Sequence, residues 1–237
     1  MSSGNFGEVS DCHSVRVNGV RLAYRRFGAP QSPPMLLLHA LGETSANWDE
    51  IAPALAREYA VFALDLRGHG HSDRTETYSL TAMRDDVLGF LGLLHLAPVT
   101  LIGHSMGGIV SYLVAQEQPK AISKLVLEDT LPPLPTDPPR PVPDRPGGPL
   151  EFDWAVVEAL NPERNNPPRQ WWDGLTEITA PTLVLGGGPA SHIPQQGLAE
   201  LADRIPDARF RTIPAGHYLH NNRPDEFLAE VSAFLNG

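Results

Sequence analysis

The chain has a single cysteine in 237 residues, Cys12. An intrachain disulfide is therefore excluded, and a lone thiol beside a polar terminus reads as incidental. No apolar run approaches the roughly 20 residues needed to cross a bilayer, and residues 1–11 lack the basic-then-apolar order of a secretory leader. Positive charge is also scarce: 18 Lys and Arg stand against 28 Asp and Glu, for a net charge of −10. That balance removes the electrostatic footprint of a nucleic-acid binder. No internal repeat is visible. These absences lead to the expectation of a soluble, cytoplasmic protein that acts on a small molecule, with neither membrane nor nucleic acid as partner. Oligomeric state is left open. With 41% hydrophobic and 19% charged residues, the chain is long enough to bury one substantial core.

What is present is alternation. Residues 14–17 and 20–27 read as strands around Asn18-Gly19, a hairpin signal. Short apolar runs at 34–39, 59–64, 99–102, 124–128, 182–185 and 209–213 read as strands. Helical patterns fall at 46–58, 80–94, 106–117, 197–204 and 224–235. Strands alternating with helices predict an α/β fold with a mostly parallel central sheet flanked by helices. The alternation breaks at residues 132–149, where nine of eighteen residues are proline, too many for a regular helix or central strand. A short helix is predicted at 152–160 and a loop at 161–168. Residues 131–178 are thus expected to be a lid inserted into a core formed by 1–130 and 179–237.

The most informative stretch is Gly103-His104-Ser105-Met106-Gly107, between an apolar strand pattern and an apolar helix pattern. It fits G-x-S-x-G, the sharp strand-to-helix turn that exposes a serine hydroxyl. Glycines on both sides leave room for the reversal. The Met106 N–H then sits at a helix N-terminus, where developing negative charge is favoured. A serine needs a base to take its proton. Of nine histidines, His217 lies in a loop after the last strand, at the same sheet edge as the turn.

With these residues, residues 20–235 resemble an α/β-hydrolase-fold protein. The resemblance rests on His39-Ala40-Leu41-Gly42, on Asp65-Leu-Arg-Gly-His-Gly-His-Ser72, on Gly103-His-Ser-Met-Gly107 and on Gly216-His217. It implies Ser105 as nucleophile and His217 as base, with no cofactor. Serine at the turn argues against the epoxide hydrolase and haloalkane dehalogenase chemistries, which use aspartate there. Many relatives carry the third member, an aspartate, after the penultimate strand, but the loop here, 186–194, has no carboxylate. Some relatives carry it one strand earlier, where Glu128 and Asp129 stand; Asp129, beyond the strand, is preferred to Glu128. Asp137 and Asp144 are outsiders. The oxyanion donors implied are the N–H groups of Met106 and Leu41. Ala40 replaces the more usual glycine, and a positive φ there would cost alanine about 1–2 kcal/mol.

His192 occupies the loop that usually supplies the acid, where it can hydrogen-bond near the site or brace the loop, and Trp154, Trp171 and Trp172 in the lid are candidates to line an apolar pocket. His39 reads as a buried structural hydrogen-bonder and His104 as a packing group, and His220 has no role assigned. The residues 65–73, rich in His, Asp and Gly, read as a structural turn, and no metal is expected: His69 and His71 lack the i, i+4 spacing of a zinc helix. The functional expectation is a serine hydrolase that cleaves a small carboxylic ester, lactone or thioester through an acyl-enzyme. The alternatives are C–C bond hydrolysis, perhydrolysis or a lyase step by the same triad, or a non-catalytic ligand-binding protein on this scaffold.

Overall fold

The first turn of the fold is set by two residues. Asn18 and Gly19 adopt φ of 50° and 84°, the positive pair that a tight hairpin turn demands. They join β1 (Cys12–Val17) to β2 (Val20–Phe27) with Val17 opposite Val20. This computed structural model describes residues 12–237, so the reading of residues 1–11 lies outside the described residues.

Six further strands follow: β3 (Pro34–Leu38), β4 (Ala60–Leu64), β5 (Val99–His104), β6 (Ile122–Glu128), β7 (Thr182–Gly186) and β8 (Ala208–Thr212). They form one eight-stranded sheet in the order β1-β2-β4-β3-β5-β6-β7-β8. β2 runs antiparallel to β4, and the pairs from β4 through β8 are parallel. Its central strands are covered on both faces, which explains their continuous apolar runs. Along β5, Leu101 packs into one hydrophobic cluster and Ile102 into the other, the two-residue period of a strand.

The helices are α1 (Ala52–Leu55), α2 (Leu80–Leu93), α3 (Met106–Glu117), α4 (Ala155–Asn165), α5 (Gln170–Asp173), α6 (Gln195–Arg204), α7 (Leu219–Asn222) and α8 (Pro224–Leu235). Residues of α2, α3 and α6 pack into one cluster, and those of α1 and α8 into the other. No helix among the described residues is long and apolar enough to cross a membrane.

Two helix expectations need correction. Residues 46–58 are not one helix but a 3-10 turn (Ser45–Trp48), capped by Thr44, followed by the single turn α1. A continuous helix would set the Pro53 ring against the Asp49 carbonyl. Conversely, α4 does not stop at residue 160 but runs through Pro162 to Asn165. Its buried face of Val156, Val157 and Leu160 supplies packing that proline alone does not undo. Within residues 131–178 the first part carries no helix or strand, while Trp171, Leu175 and Ile178 join the core cluster that also holds α3 residues.

Candidate active site

The carboxyl ends of β3, β5, β6 and β8 share one edge of the sheet, and each delivers one group to it. Ser105 leaves β5 at φ 50° and ψ −114°, a conformation that costs a non-glycine residue roughly 1–3 kcal/mol. The backbone around it is pinned. Ser105 N–H donates to the Glu128 carbonyl at 3.0 Å, and its own carbonyl accepts from Ile109 N–H at 3.0 Å and Thr130 Oγ1 at 2.6 Å. The flanking glycines are required by space. A Cβ on Gly103 would lie 2.3 Å from Ser111 Oγ, and one on Gly107 would lie 2.3 Å from the Leu38 carbonyl oxygen.

His217 follows β8. Its Nδ1 donates to Asp129 Oδ2 at 2.7 Å, which leaves Nε2 as the unprotonated nitrogen of the neutral ring. Asp129, at the end of β6, is buried and takes φ 42°. It also accepts from Gly187 N–H at 2.9 Å on Oδ1 and from the Ser191 hydroxyl on Oδ2. Burial works against a charge here. The donors from His217, Ser191 and Gly187 outweigh it and hold the Asp129 carboxyl below its ordinary range.

The loop after β3 brings Leu41 to the same cavity as Met106 and Ser105. Met106 is the first residue of α3, so its N–H has no acceptor within the helix. Ala40 does not adopt a positive φ; Gly42 does, at 85°. Alanine at position 40 is therefore unstrained. His39 is buried and structural: Nδ1 donates to the Ala40 carbonyl at 2.8 Å and Nε2 accepts from Leu66 N–H at 3.0 Å.

Glu128 goes elsewhere. Both of its oxygens lie 2.8 Å from His220 Nδ1, and Oε1 also accepts His220 N–H at 3.0 Å. His220 stacks on Trp48 with centroids 4.2 Å apart. His104, more than a packing group, donates from Nε2 to the His217 carbonyl at 2.8 Å, and its Nδ1 lies 3.5 Å from Glu43 Oε2. Burial disfavours a charge on His104, but Glu128 and Glu43 overcome it and raise the pKa to about 9. This buried chain, from Glu43 through His104 to the loop of His217, was not legible in the sequence. The only available cue was His220, three residues after His217.

Donor atoms of His104, Glu128 and His220 lie within 4.8 Å of one another, close enough to meet one cation. Glu128 is already taken by His220, and the group reads as an internal charge network. In the segment 65–73, Asp65 accepts the N–H groups of Ser45 at 2.6 Å and His71 at 2.9 Å. His69 donates from Nδ1 to the Arg67 carbonyl and accepts Gly42 N–H on Nε2. Those contacts are those of a structural turn.

Ser105, His217 and Asp129 open onto a cavity of 610 Å³, with Leu41 and Met106 on its wall. His192 is on that wall, its ring centroid 4.2 Å from that of His217. Trp154 and Trp171 are not. Trp171 is buried in the core, where its carbonyl accepts from Gln116, and Trp154 lies near Phe152 in a separate surface depression. Instead the segment 131–178 contributes Leu131, Leu160, Arg140 and Arg164 to the cavity. Arg140 was unmarked in the sequence because no periodicity places a proline-rich chain, and Arg164 because residues 161–168 read as a loop where α4 continues.

A family model described as alpha/beta hydrolase fold matches residues 33–152. The sn-1-specific diacylglycerol lipase ABHD11 of Danio rerio is 29% identical over 262 residues, covering 91% of this chain and 83% of its own. A hydrolase from Pseudomonas aeruginosa PA01 superposes with a TM-score of 0.76 at 25% identity, over 97% of this chain and 100% of that one. A thermophilic esterase from Thermogutta terrifontis shares the fold at a TM-score of 0.81 and 22% identity, over 96% and 98%.

Proposed function

The chain belongs to the alpha/beta hydrolase fold family, and on that premise we propose that it hydrolyses a carboxylic ester through an acyl-enzyme formed on Ser105. In this reading Ser105 Oγ attacks the ester carbonyl while His217 Nε2 takes its proton. Asp129 holds the ring in the tautomer that leaves Nε2 free, and its charge stabilises the imidazolium that forms. The N–H groups of Leu41 and Met106 receive the oxyanion. Collapse of the tetrahedral intermediate expels the alcohol, which regains a proton from His217. Water, deprotonated by the same nitrogen, then releases the acid.

The observation that carries the proposal is the 2.7 Å bond from His217 Nδ1 to the buried Asp129, at the cavity that Ser105 lines. Apolar walls at Ile109, Leu131 and Leu160 suit the hydrocarbon of an acyl or alkyl group, and the relative from Danio rerio is named a lipase. Residues 131–178, which supply Leu131, Arg140, Leu160 and Arg164 to the cavity wall, act in the proposal as a lid that selects what enters. The test is labelling with a fluorophosphonate followed by peptide mapping, alongside hydrolysis of p-nitrophenyl acetate. The expected result is one adduct, on Ser105, and turnover abolished in Ser105→Ala. A wild-type protein that neither labels nor turns over sinks the proposal and favours a ligand-binding role.

A further inference from the structure

Two guanidinium groups on the cavity wall are paired with no carboxylate among the described residues. Arg164, in the last turn of α4, and Arg140, in the proline-rich segment, both line the cavity that holds Ser105. Neither side chain makes a hydrogen bond or ion pair with any described residue. The single carboxylate on the same wall is Asp129, whose oxygens are engaged by Gly187, Ser191 and His217.

The pairing of the two arginines is built into the fold. Asn165, buried beside Arg164, accepts Arg140 N–H at 2.9 Å and Thr136 Oγ1 at 2.8 Å on its Oδ1. Its Nδ2 donates back to the Arg140 carbonyl at 2.9 Å, as does Asn161 Nδ2 at 3.2 Å. Both peptide groups of Arg140 are therefore tied to the helix turn that carries Arg164. Burial and the neighbouring Arg140 charge lower the Arg164 pKa, and burial, His217 and Arg164 together lower that of His192. Arg140 is exposed and Arg164 half-buried, so water screens the pair in part; the repulsion that remains on Arg164 is relieved when an anion enters beside it.

We propose that Arg140 and Arg164 bind an anionic oxyacid group at the end of the substrate remote from the scissile carbonyl. Planar guanidinium forks match the paired oxygens of such a group. The preferred ester then has three parts: a carbonyl at Ser105, a short apolar spacer against Leu131 and Leu160, and an acidic terminus. This rests on the ester-hydrolysis reading and sharpens it to a substrate class.

The test compares kcat/KM for three aryl esters of equal length that end in a carboxylate, a phosphate or a neutral primary amide. They are assayed with wild type, Arg140→Gln, Arg164→Gln, Arg164→Lys and the double glutamine variant, each checked for folding by circular dichroism. Wild type should favour an acidic ester over the neutral one by about tenfold or more, the worth of one charge-assisted hydrogen bond. The acidic-to-neutral ratio should fall by a similar factor in the double variant, be partly kept in Arg164→Lys, and shrink in high salt. Whichever acidic ester is preferred identifies the group. A wild-type ratio near one, or a ratio unchanged in the double variant, overturns the proposal. If wild type cleaves no ester, the ester-hydrolysis reading fails by itself. Calorimetric titration with the hydrolysis-resistant anilides of the same acids then decides: tighter binding of the acidic anilide, lost in the double variant, upholds the anion site, and equal binding overturns it.

Discussion

Asp129→Asn removes one charge and no volume, yet the proposed mechanism requires a large effect. Asp129 Oδ1 faces Gly187 N–H, a group that can only donate, while Oδ2 faces His217 Nδ1 and the Ser191 hydroxyl. An asparagine must keep its carbonyl oxygen toward Gly187, because turning its NH₂ there would set donor against donor in a buried place. Its NH₂ therefore points at His217. The ring then has to accept on Nδ1 and carry its proton on Nε2, the nitrogen that should take the proton of Ser105. The variant is well packed and in the wrong tautomer. The expected loss in kcat is about four orders of magnitude, as when such a triad loses its orienting charge, or about 5 kcal/mol of barrier. KM for p-nitrophenyl acetate should change little, and the melting temperature should stay near that of wild type. Steady-state hydrolysis at pH 7 provides the assay. A folded Asp129→Asn enzyme within tenfold of wild-type kcat would refute the assignment of His217 and its partner.

Gly107→Ala drives a Cβ to 2.3 Å from the Leu38 carbonyl oxygen and 2.6 Å from that of His39, so urea unfolding should show a loss of about 1–3 kcal/mol or more; an unchanged midpoint would contradict the packing. Ser191→Ala removes a donor to Asp129 and the acceptor of Ile193 N–H at 3.0 Å. It should lower kcat several-fold with the triad still present, as single-turnover acylation kinetics will read. Stability should depend on pH in a bell shape. His104, raised from 6.5 to about 9, stabilises the fold through its charged form: this contribution is complete below about pH 6.5 and is lost as pH rises through 9. His69, lowered from 6.5 to about 3 by burial and by His39 beside it, is neutral in the fold, and the unfolded chain takes up the proton the fold refuses. Stability therefore also falls as pH drops below 6.5. Calorimetric melting should peak near neutrality, and a melting temperature still rising at pH 9 would count against the charged His104.

Much of the frame was legible because local chemistry and tertiary context agree there. The strand and helix around Ser105 are apolar, and the glycines beside it mark a turn that any larger residue would obstruct. His217 could be placed at the edge of Ser105 because a parallel sheet sends its post-strand loops to one side, and Asp129 came from the family resemblance; the structure puts all three side chains on one cavity. What escaped had no periodic or compositional mark. The helix expected at 46–58 yields to one proline, whereas α4 overrides another because three buried side chains anchor its face. Trp154 and Trp171 were natural guesses for a pocket, but an aromatic residue fills a core as readily as it lines a cavity. Arg140 and Arg164 meet through the amide of Asn165, a long-range link that pairwise spacing does not encode. Glu43, His104 and Glu128 likewise converge from three separate strand ends.

The position of Asp129 has a consequence for how this scaffold can change. Glu128 and Thr130, its neighbours in the chain, hydrogen-bond the backbone of Ser105 from both sides. Asp129, the carboxylate partner of His217, and Ser105 are thus fixed by a single pair of adjacent strands. To Asp129 the loop after β7 gives one amide, from Gly187, and one hydroxyl, from Ser191. Ser191 in turn holds Ile193 N–H, and the His192 ring lies 4.2 Å from that of His217. A change of length in this loop therefore reaches the carboxylate and the imidazole together, whereas exchange of the His192 side chain alone leaves both of the loop's donors to Asp129 in place.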